Sequence, residues 1–422
     1  MFYIVVGTYN KVLHGYLVKD AAQQADGGPL QLESELLFVH PAHTSCIKAL
    51  ASNGDTLVTG SDDETMRVFH LGKRKEVGVL AQHSGSVGII RFLSASQIDK
   101  LNSIEAEAGA PTHVGQPGKR AWMLSSAEDG TVVLWRCRDW RPLVSFAACK
   151  PTSHFSPLIA AHPSARALLT LGAKGDLKLF NMMKGRCEVK KRIPATSREK
   201  PFFGTPAGVR EVPLDLLWSP SGERYAVNYG SHVAVFLADT GAVEAKLEES
   251  EPICCMVFLD EDTLAFGTEN GRICAVDTGS ESTMMSFTAH GSRVKCLDVV
   301  PVSAVGGDSN SLLPLLVSSS SDGSIRVWDM RVLATAESLP QMTPVLRLQT
   351  GDRITCLTAC IAGPQREAVI TGKRKREQEE SDNDDSGDSG DEDEEQTKAA
   401  KKSKKKKVEK KAPRAKVTIT TE

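Results

Sequence analysis

Apolar residues along this chain fall in short runs rich in Val, Ile, Leu and Phe, bounded by Gly, Asp, Asn and Ser. That pattern predicts strands joined by tight turns. Residues 46–80 show the unit: CIKAL, the turn NGD, TLVTGS, the turn DDE, TMRVFHL, the turn GKRK, then EVGVLA. Four successive strands of this kind make one blade of a propeller. The same reading gives units over 87–147, 156–192, 213–247, 253–287 and 294–348, with insertions at 94–119 and 301–314. Two remnants are left over. One is a set of strands at 3–6, 13–18 and 36–39; the other is ITCLTACI at 354–361. Three plus one complete a seventh blade, and closing the ring with both ends removes an open sheet edge. The expected fold is all-β, a seven-bladed propeller over residues 1–361, although the insertions leave six or eight blades open.

Three segments repeat one phrase: TGSDDETMRVF, SSAEDGTVVLW and SSSSDGSIRVW. Each has a hydroxyl residue four positions before an Asp and an aromatic six after it, and each is preceded by a His. A spaced repeat of this kind settles the fold, and the phrase is that of the WD-repeat β-propeller. The residue types are spaced to form a network inside the blade. The Asp, in the turn before the third strand, accepts from the His and from backbone N–H groups. The His meets the hydroxyl, and the hydroxyl meets the Trp N–H. Such a network fixes register only when every member is satisfied. Two sets are complete: His83, Ser125, Asp129 and Trp135, and His290, Ser318, Asp322 and Trp328. A third has His43, Thr59 and Asp63, but Phe69 replaces the Trp. The units beginning at 156, 213 and 253 are degenerate. GAKGDLKLF places Gly175 where the Asp belongs, and NYGSHVAVF has no Asp, so these blades are expected to rely on apolar packing.

Ser, His and Asp together also suggest a hydrolase triad. Here the set recurs across blades, whereas a catalytic site occurs once, and no G-x-S-x-G elbow is present. Neither phosphate-loop motif appears. The pairs Glu248/Glu249 and Glu261/Asp262 fall at junctions and turns, where solvated carboxylates are expected. Ten cysteines are present without a C-x-x-C or zinc-ligand spacing. Most lie in apolar runs, where a reduced Cys acts as a small hydrophobe. With no secretory signal, a reducing compartment is expected. The N-terminal MFYIVVGTYNKVLHGYLV reads as two strands, and no run approaches the ~18 apolar residues of a membrane span. The expectation is a non-enzymatic chain with no catalytic residue, metal, cofactor or membrane association.

The net charge of −2 hides a split. Residues 362–422 are expected to form a disordered basic–acidic–basic tail. A block over 377–395 carries twelve carboxylates and no hydrophobic residue, and 398–416 carries ten Lys and one Arg. Neither block buries apolar area that would offset ordering entropy. Lys373, Arg374, Lys375 and Arg376, with Lys401, Lys402, Lys404, Lys405, Lys406 and Lys407, fit compact nuclear import signals. The same charges offer RNA phosphates a non-specific, salt-dependent attraction. Ser381 and Ser389 each have an acidic residue three positions later and suit an acid-directed kinase; Ser386 fits once Ser389 is phosphorylated.

Beyond the shared repeat, YIVVGTYNKVLHGYLV, HPAHTSCIKALA, TGSDDETMRVFHL and AQHSGSVGIIRFL resemble the PAK-interacting WD-repeat protein family, as do LWSPSGERYAV and FTAHGSRVKCLDVV. That family includes the fungal "maintenance of killer" ribosome-assembly factor. The resemblance spans about residues 1–361, and the insertion at 94–119 departs from it. It implies a nucleolar scaffold in large ribosomal subunit biogenesis and pre-rRNA processing, a monomer within larger complexes of pre-ribosomal proteins and assembly factors. It also implies, as an alternative, an adaptor that binds and inhibits a p21-activated kinase. A further alternative comes from Trp328-Asp329-Met330-Arg331, which fits the W-D-x-R pattern of cullin ubiquitin-ligase substrate receptors.

Overall fold

The computed structural model describes residues 1–20, 30–93, 121–193, 212–301, 314–331, 342–362 and 417–418. These form seven antiparallel sheets, not six or eight. Blade 1 takes β1 (Phe2–Thr8), β2 (Val12–Asp20) and β3 (Leu32–Pro41). Blade 2 is β4 (Ile47–Asn53), β5 (Thr56–Ser61), β6 (Met66–His70) and β7 (Lys75–Leu80). Blade 3 is β8 (Val87–Phe92), β9 (Trp122–Ala127), β10 (Thr131–Arg136) and β11 (Arg141–Ala147). Blade 4 is β12 (Leu158–Ala161), β13 (Ala167–Leu171), β14 (Asp176–Asn181) and β15 (Arg186–Arg192). Blade 5 is β16 (Asp215–Trp218), β17 (Arg224–Asn228), β18 (His232–Leu237) and β19 (Val243–Glu248). Blade 6 is β20 (Ile253–Phe258), β21 (Thr263–Thr268), β22 (Arg272–Asp277) and β23 (Ser282–Thr288). Blade 7 is β24 (Val294–Val300), β25 (Leu315–Ser320), β26 (Ser324–Asp329) and β27 (Leu346–Gln349). The last long strand, β28 (Ile354–Ile361), returns to blade 1 and pairs with β1, from Phe2 opposite Ile361 to Thr8 opposite Ile354. A two-residue strand, β29 (Val417–Thr418), pairs with the outer edge of β7.

The apolar core is divided among the blade interfaces. Tyr3, Val5 and Leu13 of blade 1 pack against Ile47, Leu57 and Phe69 of blade 2. Leu158 and Leu169 of blade 4 pack against Leu216, Tyr225 and Phe236 of blade 5. Phe2, Ile4 and Val18 close the ring against Val317, Ile325 and Val327 of blade 7. The middle strands of each sheet are therefore buried on both faces, which explains strands that read as apolar runs, while outermost strands such as β3 and β15 are largely exposed. Close approach of neighbouring blades requires a small residue on the second strand. A Cβ on Gly60 would lie 2.7 Å from Val87, and one on Gly267 2.6 Å from Val294. Both valines begin the inner strand of the next blade and are fully buried.

Candidate interaction face

The repeated phrase closes into a directional chain of hydrogen bonds. In blade 3, Trp135 Nε1–H donates to Ser125 Oγ at 2.8 Å, and Ser125 lies 2.7 Å from His83 Nε2. His83 Nδ1 meets Asp129 at 3.1 Å, and Asp129 also accepts from the backbone N–H groups of Ser84 and Thr131 and from the Thr131 hydroxyl. One assignment satisfies all members: the hydroxyl donates to Nε2, and Nδ1–H donates toward the carboxylate. Burial pushes the Asp129 carboxyl up, but its donors pull it well below the usual range. In blade 2 the chain starts at Thr59, 2.6 Å from His43 Nε2, because Phe69 has no N–H to give. His43 Nδ1 lies 3.0 Å from Asp63. Burial again raises the Asp63 carboxyl, but Thr65, His43 and Thr44 outweigh it and bring it to about 2.

Blade 7 departs from the expected pattern. Here His290 Nε2 meets Ser318 at 2.7 Å, and Trp328 Nε1–H donates to Ser318 at 2.9 Å. His290 Nδ1, however, meets Ser324 Oγ at 2.7 Å, and Ser324 passes the bond to Asp322 at 2.6 Å. The direct His–Asp contact expected from sequence is thus replaced by a serine relay. Burial, aided by Arg326, holds His290 neutral down to about 4.

The degenerate blades differ among themselves. In blade 4 strand pairing places Thr170 opposite Lys178, as Ser125 lies opposite Val133 in blade 3. The Asp position therefore belongs to Lys174. Gly175, read from sequence as the Asp position, instead shares the positive φ of Gly130 and Gly323, one residue further on. Thr170 keeps its buried hydroxyl, but this makes no hydrogen bond among the described residues. His154 precedes Thr170 by the same spacing that separates His43 from Thr59, a signal the sequence reading missed. With no Asp to hold it, His154 is exposed at a positive φ. Blade 5 substitutes aromatic packing: Tyr225 stacks on Phe236 at 5.0 Å and meets Trp218 edge-on at 5.4 Å. Trp218 donates instead to Ala160 O of blade 4 at 3.0 Å. The pair Glu261 and Asp262, expected to be merely solvated, ties blade 6 to blade 5 through Ser221 and Arg224.

Inner strands line the channel around which the blades are arranged. Cys255, Cys296 and Cys356 occupy the same position of three successive inner strands. Each thiol donates at 3.7 Å to a carbonyl of the next blade, at Val294, Thr355 and Ile47 respectively. Burial raises all three thiols, leaving them unreactive at neutral pH. Asp298 likewise accepts the Ala359 N–H of blade 1 at 2.8 Å. Among the described residues, no group of three or more His, Cys, Asp or Glu is arranged to hold a metal ion. No helix among them is long and apolar enough to cross a membrane.

On the face that carries the His–Asp networks, the channel widens into a mouth of about 470 Å³. The turns between second and third strands sit over the starts of the inner strands there. Tyr9 N–H donates to Arg353 O, Ser321 N–H to Arg293 O, and Asp62 N–H to Cys46 O. Lys48, Arg293, Lys295, Arg353 and the released His154 line this mouth. Lys48 is shared between Asp62 and Glu128. The Arg353 guanidinium lies over the Tyr9 ring at 5.8 Å.

In the W-D-x-R tetrapeptide, Trp328 is buried in its blade, and Arg331 is held two-pronged by Asp329. The basic runs 373–376 and 401–407, and Ser381, Ser386 and Ser389, lie outside the described residues.

Two family models match the chain: the LRRK2 beta propeller over residues 211–373, and the WD domain, G-beta repeat, over 34–70. A p21-activated protein kinase-interacting protein 1-like of Xenopus laevis is 29% identical over 84% of this chain and 81% of its own. One of the same name in Danio rerio is 26% identical over 86% of this chain and 82% of its own. Protein MAK11 of Saccharomyces cerevisiae is 24% identical over 85% and 83% respectively. With the closed seven-bladed ring, these matches make the chain a WD-repeat propeller similar along most of its length to the PAK-interacting proteins and to MAK11.

Proposed function

We propose that this protein is a non-enzymatic scaffold in the nucleolar biogenesis of the large ribosomal subunit, acting in pre-rRNA processing and assembly. The observation that carries this is the match to MAK11 along nearly the whole propeller, since the resemblance in the sequence implies that role. The basic–acidic–basic composition beyond residue 372 gives independent support, suiting nuclear import and salt-dependent retention near RNA. In this reading the propeller docks pre-ribosomal proteins and assembly factors, while the tail supplies address and electrostatic attraction. Affinity purification of the tagged protein from cells, with and without ribonuclease, tests it. Precursor rRNA and large-subunit assembly factors are the expected companions. A preparation free of ribosomal material overturns the proposal.

The names of the vertebrate relatives, which speak of interaction with a p21-activated kinase, favour a second reading, an adaptor that binds such a kinase; that it also inhibits it is what the sequence resemblance implies. It predicts direct binding between the purified proteins without RNA, and absence of such binding removes it. The cullin-receptor reading draws on the tetrapeptide alone; unchanged adaptor co-purification by Arg331→Ala disposes of it.

A further inference from the structure

We propose that the mouth of the channel binds an acidic, apolar-flanked segment of a protein partner; this rests on the scaffold reading and specifies its docking site. Arg293, Lys295 and Arg353 converge on the opening. Unlike Lys48, none of the three has a carboxylate within ion-pair distance among the described residues. Five carboxylates of this face are engaged elsewhere. Asp62 and Glu128 hold Lys48, while Asp63, Asp129 and Asp322 accept within their own blades. Cations clustered in a concave site bordered by protein attract and hold anionic groups more strongly than the same charges on an open surface.

The second observation is apolar. Tyr9 is 59% exposed and Leu214 52%, both lining the same opening, and the adjacent Val212 is 40% exposed. Large apolar side chains left in water beside a concavity mark a surface that a partner covers. An opening of about 470 Å³ takes a few side chains rather than a nucleic-acid helix. Cations alone would suit RNA phosphate equally well. The interleaved Tyr9, Leu214 and Val212 favour a peptide that presents Asp or Glu next to Leu or Phe.

The full chain is titrated into a fluorescein-labelled twelve-residue peptide of alternating acidic and apolar residues, read by anisotropy. The matching peptide with Gln for Glu, and a uridine twelve-mer RNA, serve as comparisons. Arg293→Ala with Lys295→Ala is expected to weaken the acidic peptide at least tenfold. Lys184→Ala, an exposed cation in the turn between β14 and β15 and outside the mouth, leaves binding unchanged. Arg293→Lys restores most of the affinity, which separates charge from folding. A benzophenone-bearing version of the peptide locates the contact, and adducts at 8–11 or 212–214 are expected. Equal binding by the double variant overturns the proposal, as do adducts confined to the basic run 398–416. RNA capture through these cations without peptide capture also overturns it. All these readouts use purified protein, so they stand apart from the cellular purification that tests the ribosomal role.

Discussion

Blades 3 and 5 share the same four-strand topology and reach it by different chemistry. Blade 3 commits a half-buried carboxylate and a buried imidazole, hydroxyl and indole to one chain of hydrogen bonds. Blade 5 has no such chain; Trp218, Tyr225 and Phe236 pack ring on ring, and Trp218 turns its N–H to the neighbouring blade. The difference shows that the polar network is one solution to register, not a requirement of the fold. A hydrogen-bonded blade is specified by direction and is costly to break in part, because every member left behind is buried. An aromatic blade is specified by volume, and partial loss costs less.

The largest effect should come from Asp129→Ala, which strands His83 and three further donors and is expected to cost about 3–5 kcal/mol. Phe236→Leu in blade 5 keeps most of the volume and is expected to cost about 1 kcal/mol. Urea denaturation compares them, and similar losses would erase the distinction between the blades.

Acid should act next. Burial holds His290 and His232 neutral down to about 4, so between the ordinary 6.5 and 4 only the unfolded chain takes up their protons. Stability from these two groups is complete above pH 6.5 and declines as pH falls toward 4, in blade 7 and blade 5 alike. Below that, the blades part. Asp63, at about 2 in the fold against 3.8 unfolded, contributes stability that is lost as pH falls through that interval. Asp215, in the channel wall of blade 5, is raised by burial despite Arg91, so acid does not penalise it in the fold. Between pH 4 and pH 2, hydrogen-exchange protection of β5 and β6 should therefore fall further while that of β17 and β18 holds; a further fall confined to β17 and β18 contradicts this account.

The smallest effect is a gain. Thr170→Val removes the unsatisfied hydroxyl of blade 4 at nearly constant shape and should stabilise by about 1 kcal/mol. A loss in thermal melting would mean that the hydroxyl has a partner.

Much of this was legible along the chain. Turn residues at short, regular intervals marked the strands, and the remnants at 1–39 and 354–361 summed to a blade because an open ring leaves an unpaired edge. The networks were legible because His, hydroxyl, Asp and aromatic recur at fixed offsets, and local spacing carries that information. Three things were not. The Ser324 relay depends on how far the turn places Asp322 from His290, a matter of ångströms rather than of sequence offset. The loss of Asp at Lys174 frees His154 to the mouth, and its spacing alone does not distinguish a bonded from a released imidazole. The thiol-to-carbonyl contacts of Cys255, Cys296 and Cys356, and the convergence of Arg293, Lys295 and Arg353, join residues of different blades. The sequence by itself determined the repeat and the recurring His, hydroxyl, Asp and aromatic of the complete networks, because these follow from offsets within about fifty residues, and it favoured seven blades without excluding six or eight. Only the tertiary structure decided what meets across blades, because ring closure brings together side chains whose separation along the chain says nothing of their distance in space.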